Sequence, residues 1–287
     1  MKVLLTGATG FVGGHLLKEV PSTWTCFALT RNPDRIANWA KPILADLGRT
    51  GWENELPERM DAIIHVSQSR AYRDFPGAAM DVFDVNTAST ARLLDYASRS
   101  GVRHFCLFST GSVYEPYDHQ PLVERAAVQP NSINATTKLA AEALCRTYAS
   151  LFSVAILRVF FPYGPGQTDR LVPILIDRIK SGQAISLSGR DGMVLPPIYV
   201  SDLVRIAIAS VEQGWQGTFN VAGRESLSVK SISKLIASHL GRTVRFDATS
   251  QQELCLRPSL QALEEVFDTS NMVSFEQGLK ETLQWNQ

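Results

Sequence analysis

The chain has 287 residues, about two domains' worth at a nominal 150 residues each, although single α/β units of 200 to 250 residues are also common. Twenty-eight Lys and Arg balance 28 Asp and Glu for a formal net charge of zero, which leaves no basic footprint for a nucleic acid or an anionic membrane surface. A hydrophobic share of 45% with 20% charged residues, 19 Gly and 14 Pro is ordinary globular composition and excludes whole-chain disorder and fibrous classes.

Along the first 160 residues, short β-branched runs alternate with longer amphipathic stretches: VLL (3–5), a helix from Phe11, TCFAL (25–29), PILA (42–45), AIIHV (62–66), a helix near 78–100, HFCLFS (104–109), a helix near 132–150 and VAILRV (154–159). Strands separated by helical patterns predict βαβ crossovers and a parallel sheet. The near-continuous apolarity of the strands predicts burial on both faces. Beyond about residue 160 the texture changes at FPYGPGQ (161–167) to shorter elements broken by SGQ, SGRDG, QGWQG and AGRES. Within this stretch, SLSVKSISKLIASHLG (226–241) has Ser228 as N-cap, apolar residues at helical spacing and Gly241 as a stop.

No apolar run reaches the roughly 18 to 20 residues of a membrane-spanning helix. The N-terminal stretch lacks a secretory apolar core and cleavage site, so a cytoplasmic location is expected by default. Cys26, Cys106, Cys145 and Cys255 are scattered without CxxC pairs or ligand spacing to His, which predicts reduced packing residues and neither a metal site nor a disulfide framework.

TGATGFVGGHLL (6–17) sets Gly7, Gly10 and Gly13 three apart, directly after a strand and at the opening of a helix. In that context a glycine turn lets backbone N–H groups approach a pyrophosphate, and the helix N-terminus adds partial positive charge. Thr9, Phe11 and Val12 line the same turn. The fold expected is α/β, a Rossmann-type doubly wound parallel sheet. Residues 1–160 form the dinucleotide-binding domain, and residues 161–287 form mainly a smaller C-terminal substrate-binding lobe, with some segments returning to the first domain. A site for NAD usually carries Asp or Glu at the end of the second strand, whereas Arg there suits a 2′-phosphate. Here Arg31 and Asn32 follow that strand, so the reading leans toward NADP over NAD. Asp46 and Leu47 follow the third strand and are placed to contact adenine, with a plain polar strand end as the alternative. Ser67, Gln68 and Arg70 follow the fourth strand, where loop residues face the ligand crevice.

These segments resemble the extended short-chain dehydrogenase/reductases, specifically the NAD-dependent epimerase/dehydratase group, which acts largely on nucleotide sugars. TGATGFVG is similar to the group's TGxxGFxG, FSTGSVYE (108–115) to SSxxVYG, TTKLAAE (136–142) to SKxxxE, and LRVFFPYGPGQ (157–167) to LRxxNxYGPGQ. YVSDL (199–203), FNVAG (219–223) and FEQGLKETLQW (275–285) follow in family order, so the resemblance spans essentially the whole chain. It implies that Thr110 hydrogen-bonds the reacting substrate oxygen, that Lys138 binds the nicotinamide ribose, and that the chain forms a homodimer through the helices near 78–100 and 132–150.

Three positions depart from the family pattern. The resemblance implies a catalytic Tyr at 134, four residues before Lys138 and on the same helical face, but the residue there is Asn134. An amide donates and accepts hydrogen bonds without transferring protons near neutral pH, and a positioned acid/base contributes roughly 100- to 10,000-fold. Phe161 replaces an Asn, and Leu195 an Arg, that hold the substrate diphosphate in many family members, which counts against a typical nucleotide-diphosphate sugar because buried phosphates need charge-assisted donors. Replacement proton donors are sought among Tyr72, Tyr114, Tyr117, Tyr163 and His65, each with a packing role as the plainer alternative. Three functional readings stay open: an NAD(P)-dependent epimerase, dehydratase or reductase with altered acid/base machinery, a retired cofactor-binding regulator or scaffold, and a competent enzyme with a substitution engineered at 134.

Overall fold

The computed structural model describes residues 1–117, 120–251 and 253–285. In chain order the elements are β1 (Lys2–Thr6), α1 (Phe11–Glu19), β2 (Thr25–Thr30), β3 (Lys41–Leu44), β4 (Ala62–His65), α2 (Ala79–Phe83), α3 (Ser89–Arg99), β5 (His104–Thr110), α4 (Ile133–Thr147), β6 (Ser153–Val159), β7 (Pro162–Tyr163) and α5 (Leu171–Lys180). They continue with β8 (Ile185–Ser188), β9 (Val194–Leu195), β10 (Ile198–Tyr199), α6 (Val200–Glu212), β11 (Gly217–Val221), β12 (Leu227–Ser228), α7 (Val229–His239), β13 (Phe246–Thr249), α8 (Gln261–Glu264) and α9 (Phe275–Trp285). No helix among the described residues is long and apolar enough to cross a membrane.

The chain folds as two compact units. The first comprises Met1–Pro116, Ala127–Val159 and Val204–Phe219. Its sheet runs in the order β11-β6-β5-β4-β1-β2-β3, and the pairs β1–β2, β1–β4, β2–β3, β4–β5 and β5–β6 are all parallel. This is the doubly wound α/β architecture expected from the alternating pattern. The order reverses between β1 and β4, the switch point where such sheets open a crevice at the carboxyl ends of their strands. Burial explains the strand composition: every residue of β4 and the five central residues of β5 and β6 are buried. The core beneath includes Leu4, Leu29, Ile63, Leu93, Phe105 and Ile156.

The helix expected near 78–100 is broken. A π-helical turn over Asp84–Ala88 separates α2 from α3. From the start of α3, Ser89 Oγ donates back to Val85 O at 2.7 Å and Thr90 Oγ1 donates to Asn86 O at 2.8 Å, both carbonyls of this turn. Hydroxyls that bond the preceding turn's carbonyls compete with the regular helical ladder, and such bulges concentrate at functional sites.

The second unit comprises Tyr117–Ala126, Phe160–Leu203 and Asn220–Gln287. Three two-stranded pairs, β7–β10, β9–β12 and β8–β13, flank a core that includes Tyr163, Leu175, Ile179, Leu187, Ile236 and Leu279. Helix α7 begins where the sequence places it, with Ser228 Oγ accepting the backbone N–H of Ser231 at 3.1 Å, and ends before Gly241 at φ 59°. All four cysteines are free, three of them buried; burial pushes the Cys106 thiol up to about 12.

Candidate active site

The glycine turn after β1 is built by close approach of backbone to backbone. Gly7 takes φ 72°, Gly10 N donates to Gly7 O at 2.9 Å, and Gly14 N donates to Gly10 O at 2.9 Å. A Cβ on Gly13 would collide with the Gly7 carbonyl, and one on Gly7 would come within 3.0 Å of Ser67 N. Both positions therefore demand glycine for packing as well as conformation. Helix α1 starts at Phe11 with no side-chain cap and no acidic residue in its first turn, so its first N–H groups keep their donor capacity for an anion. Thr9 and Val12 are half-buried, and the Phe11 ring sits edge-on to His15.

Strand β4 brings two groups against this turn. Ser67 N donates to Thr6 Oγ1 at 3.1 Å, while the Ser67 carbonyl accepts from Lys138 Nζ at 3.0 Å. Lys138 also donates to Phe108 O at 2.8 Å and is 1% exposed. Burial lowers its pKa from 10.5 to about 8, because desolvation disfavours the ammonium more than nearby Glu142 restores it. Two of three N–H bonds thus tie the amine to the ends of β4 and β5, and one remains.

Thr110 ends β5 and caps the following 3-10 turn, its Oγ1 accepting from Ser112 N at 3.2 Å. Asn134 lies in the first turn of α4, one turn before Lys138, and its Oδ1 accepts from Asn86 Nδ2 at 3.4 Å. Asn86, wholly buried in the π turn, is a participant the sequence reading does not single out. Its only advance signal is a run of small and polar residues, Asn86-Thr87-Ala88-Ser89-Thr90, within an amphipathic helical stretch.

The proposed substitute proton donors have other duties. His65 is buried, with Nδ1 against Thr6 Oγ1 at 2.7 Å and Nε2 against Thr90 Oγ1 at 3.0 Å. Thr90 gives its own proton to Asn86 O, so it accepts from Nε2–H and the ring is the neutral Nε2–H tautomer. Burial, reinforced by the charge of Lys138, holds its pKa well below the usual value. The Tyr114 hydroxyl accepts from Arg158 Nη1 at 2.8 Å, and the guanidinium stacks 4.9 Å over its ring. Arg158 in turn pairs with fully buried Glu142 at 2.8 Å, which also receives Ser109 Oγ at 2.5 Å. This buried network braces the strand end carrying Thr110. Tyr163 belongs to the second unit's core and donates to Phe275 O at 3.2 Å; burial drives its pKa up. Tyr72 lies in a 3-10 turn with the Arg73 guanidinium 5.8 Å from its ring, and Tyr117 belongs to the second unit at φ 68°.

Beyond β2, Arg31 and Asn32 are exposed, and Asn32 N donates to Thr30 Oγ1 at 2.9 Å. Asp46 Oδ1 accepts from Gly48 N at 3.1 Å. The Leu47 side chain is in the core, leaving only its backbone for a ligand. Gln68 is half-buried and Arg70 exposed. In the second unit, Leu195 is fully buried and Phe161 packs on the core at φ 41°, a left-handed conformation that Asn tolerates better than Phe. Two polar residues of the later motifs are structural pins: Asn220 Nδ2 donates to Leu122 O and Ser259 O, and Asp202 accepts Val273 N at 2.8 Å.

A profile of the NAD dependent epimerase/dehydratase family matches residues 3–222, and the chain belongs to this family. Among its relatives, dTDP-4-dehydro-6-deoxy-D-allose reductase of Streptomyces bikiniensis is 25% identical over 99% of this chain and 95% of that protein. GDP-6-deoxy-D-mannose reductase of Pseudomonas aeruginosa is 29% identical over 82% of this chain and 79% of that protein. Of solved structures, the UDP-glucuronic acid 4-epimerase of Bacillus cereus, in complex with UDP-glucuronic acid and NAD, superposes with a TM-score of 0.87 at 22% identity, covering 99% of this chain and 98% of that one.

Proposed function

We propose that the chain is a nicotinamide-dinucleotide-dependent enzyme acting on the carbonyl or carbinol carbon of a sugar-like substrate, with acid/base machinery altered at position 134. The residues present fit the dinucleotide: Gly13 lets the loop backbone at Gly7 and Ala8 close onto the helix start where a Cβ would collide, and the first turn of α1 is uncapped by any side chain. Bound there, the dinucleotide supplies hydride-transfer chemistry. The turn at Gly7, Gly10 and Gly13 holds its pyrophosphate by backbone N–H groups, with Thr9, Phe11 and Val12 shaping the loop. Asp46, the Leu47 backbone and Ser67 line its course, and Lys138 uses its remaining N–H on the nicotinamide ribose. Thr110 donates to the reacting oxygen. Arg31, with no acidic residue beside it, supports NADP over NAD.

The observation that carries this reading is Lys138. An ammonium buried to 1% exposure and held by two carbonyls is costly to keep, and a site that had only to fold would do better with an apolar residue. The relatives' nucleotide sugars are the first substrates to try, while Phe161 and Leu195 favour a ligand held by fewer diphosphate contacts. A second reading, a retired site that still binds the dinucleotide, is favoured by Asn134 itself, whose amide does not act as an acid or base near neutral pH.

Calorimetric titration with NAD, NADH, NADP and NADPH tests the shared premise. Tighter binding of the phosphorylated pair is expected, and no binding of any of the four overturns both readings. Asn134→Tyr then separates them. Loss of an activity found in the parent supports altered chemistry, whereas turnover appearing only in the variant supports a retired or engineered site.

A further inference from the structure

Asn134 has an acceptor end and a donor end, and its neighbour decides which one a ligand meets. Asn86 is itself oriented by partners of fixed polarity. The Ser69 backbone N–H donates to Asn86 Oδ1 at 2.9 Å, so Nδ2 lies on the other side and donates to Thr137 Oγ1 at 3.0 Å. Thr137 commits its own proton to Ile133 O at 2.8 Å and can only accept from Asn86. The same Nδ2 lies 3.4 Å from the Asn134 amide, and only Oδ1 can receive its proton. That contact is long, so it fixes direction more than it adds strength. The Asn134 oxygen is thereby engaged and its NH2 is left for other partners. Thr110 is polarised alike: Oγ1 accepts from Ser112 N and the hydroxyl proton remains to be donated. Charged Lys138, on the same helical face as Asn134, is a donor only.

We propose that Asn86 is a positioning residue that locks Asn134 as a hydrogen-bond donor, so that Asn134, Thr110 and Lys138 present a surface of donors that selects a ketone oxygen over the corresponding alcohol. A ketone accepts and asks nothing in return. An alcohol also brings a proton, for which the only acceptors are the second lone pairs of Thr110 Oγ1 and Asn134 Oδ1, each already receiving an N–H, and a poorly matched donor is penalised on binding. The orientation of the amide stands on the hydrogen bonds alone; the choice of a sugar ketone rests on the proposed function.

The test uses the full chain labelled with 15N-asparagine. The side-chain amide of Asn134 is assigned by its loss in Asn134→Asp. In the unliganded protein its protons are expected to exchange with water at least about tenfold faster than those of Asn86. Asn86→Asp replaces a donor by an acceptor, so the Asn134 amide turns to give it an N–H, with a downfield proton shift and about tenfold slower exchange. Should that variant not fold, Asn134→Asp serves: its carboxylate draws the Asn86 amide proton downfield. Equal protection of both amides in the parent, or signals indifferent to these changes, overturns the orientation. For ligand class, dTDP-4-dehydro-6-deoxyglucose and dTDP-6-deoxyglucose are titrated into NADP-saturated protein. The ketone is expected to bind about tenfold tighter or more, with the preference lost in Asn134→Asp; a preference kept in that variant overturns the selectivity. Amide signals as expected with neither sugar bound would defeat the sugar reading and leave the orientation standing. Both sugars bound equally, with indifferent amide signals, would do the reverse.

Discussion

Lys138 is a cation held where charge is disfavoured, and that has a signature in stability. Its pKa falls from 10.5 to about 8 through burial. Below pH 8 the amine is charged in folded and unfolded chains alike, and the penalty of burying it is present in full. Between about pH 8 and 10.5 the folded chain releases its proton first, so the unfolded chain binds more protons and stability rises with pH, by about 3 kcal/mol over the window. Lys138→Met removes the charge and keeps the buried stem. It also leaves Ser67 O and Phe108 O without this donor, at roughly 1–3 kcal/mol each, so the two effects nearly balance at pH 7. The discriminating quantity is the slope: urea denaturation from pH 7 to 10.5 is expected to show the parent gaining stability relative to the variant. A constant difference between them across that range would mean that the lysine is not desolvated. Single residues were legible from sequence where motif register fixed them, as with Thr110, Asn134 and Lys138. Asn86 was not, because its role comes from a contact 48 positions away that no local pattern announces. The surroundings of the phenols and of His65 were not legible for a related reason. Their partners, Arg158 for Tyr114 and Phe275 for Tyr163, are chosen by the fold.

Helix α7 shows what local chemistry can specify at the level of elements. Ser228 accepts the Ser231 N–H, and Ile232, Ile236 and Ala237 are buried on one face. Ser228→Ala is expected to cost about 1 kcal/mol, read as a lower urea midpoint with the dinucleotide affinity of the first unit unchanged; no change in midpoint would mean that the cap is idle. Strands β1, β2, β4, β5 and β6 were legible for the same kind of reason, since burial writes apolar runs, whereas β3, at the edge of the sheet, is largely exposed and does not show the burial on both faces that its apolar run predicts. The π turn between α2 and α3 was not, because Ser89 and Thr90 divert carbonyls without disturbing the helical spacing of apolar residues. Nor were the two-residue strands β7, β9, β10 and β12. At that length no alternation exists to be read, and pairing alone defines them.

At the scale of the molecule, the chain passes between its two units after residues 116, 126, 159, 203 and 219. Only the passage near 160 coincides with a change of sequence texture, because compactness depends on contacts distant in sequence. The zero formal charge bears on ligand choice. With no net field over the molecule to gather a polyanion, a preference for a 2′-phosphate must come from a local contact, and Arg31 is the cation that directly follows β2. Dinucleotide binding to the folded chain stabilises it by mass action, about 2.7 kcal/mol at one hundred times the dissociation constant. For a chain of this size that corresponds to an upward shift in Tm of about 4–5 °C. NADPH is therefore expected to raise Tm more than NADH at equal concentration. Arg31 is exposed, so Arg31→Ala should leave the unliganded Tm within about 1–2 °C of the parent while reducing the NADPH shift to that of NADH. Equal shifts with both cofactors in the parent would remove Arg31 from the site. A larger NADPH shift that survives Arg31→Ala would assign the phosphate to another cation, with Arg35, in the 3-10 turn just beyond β2, the next to replace.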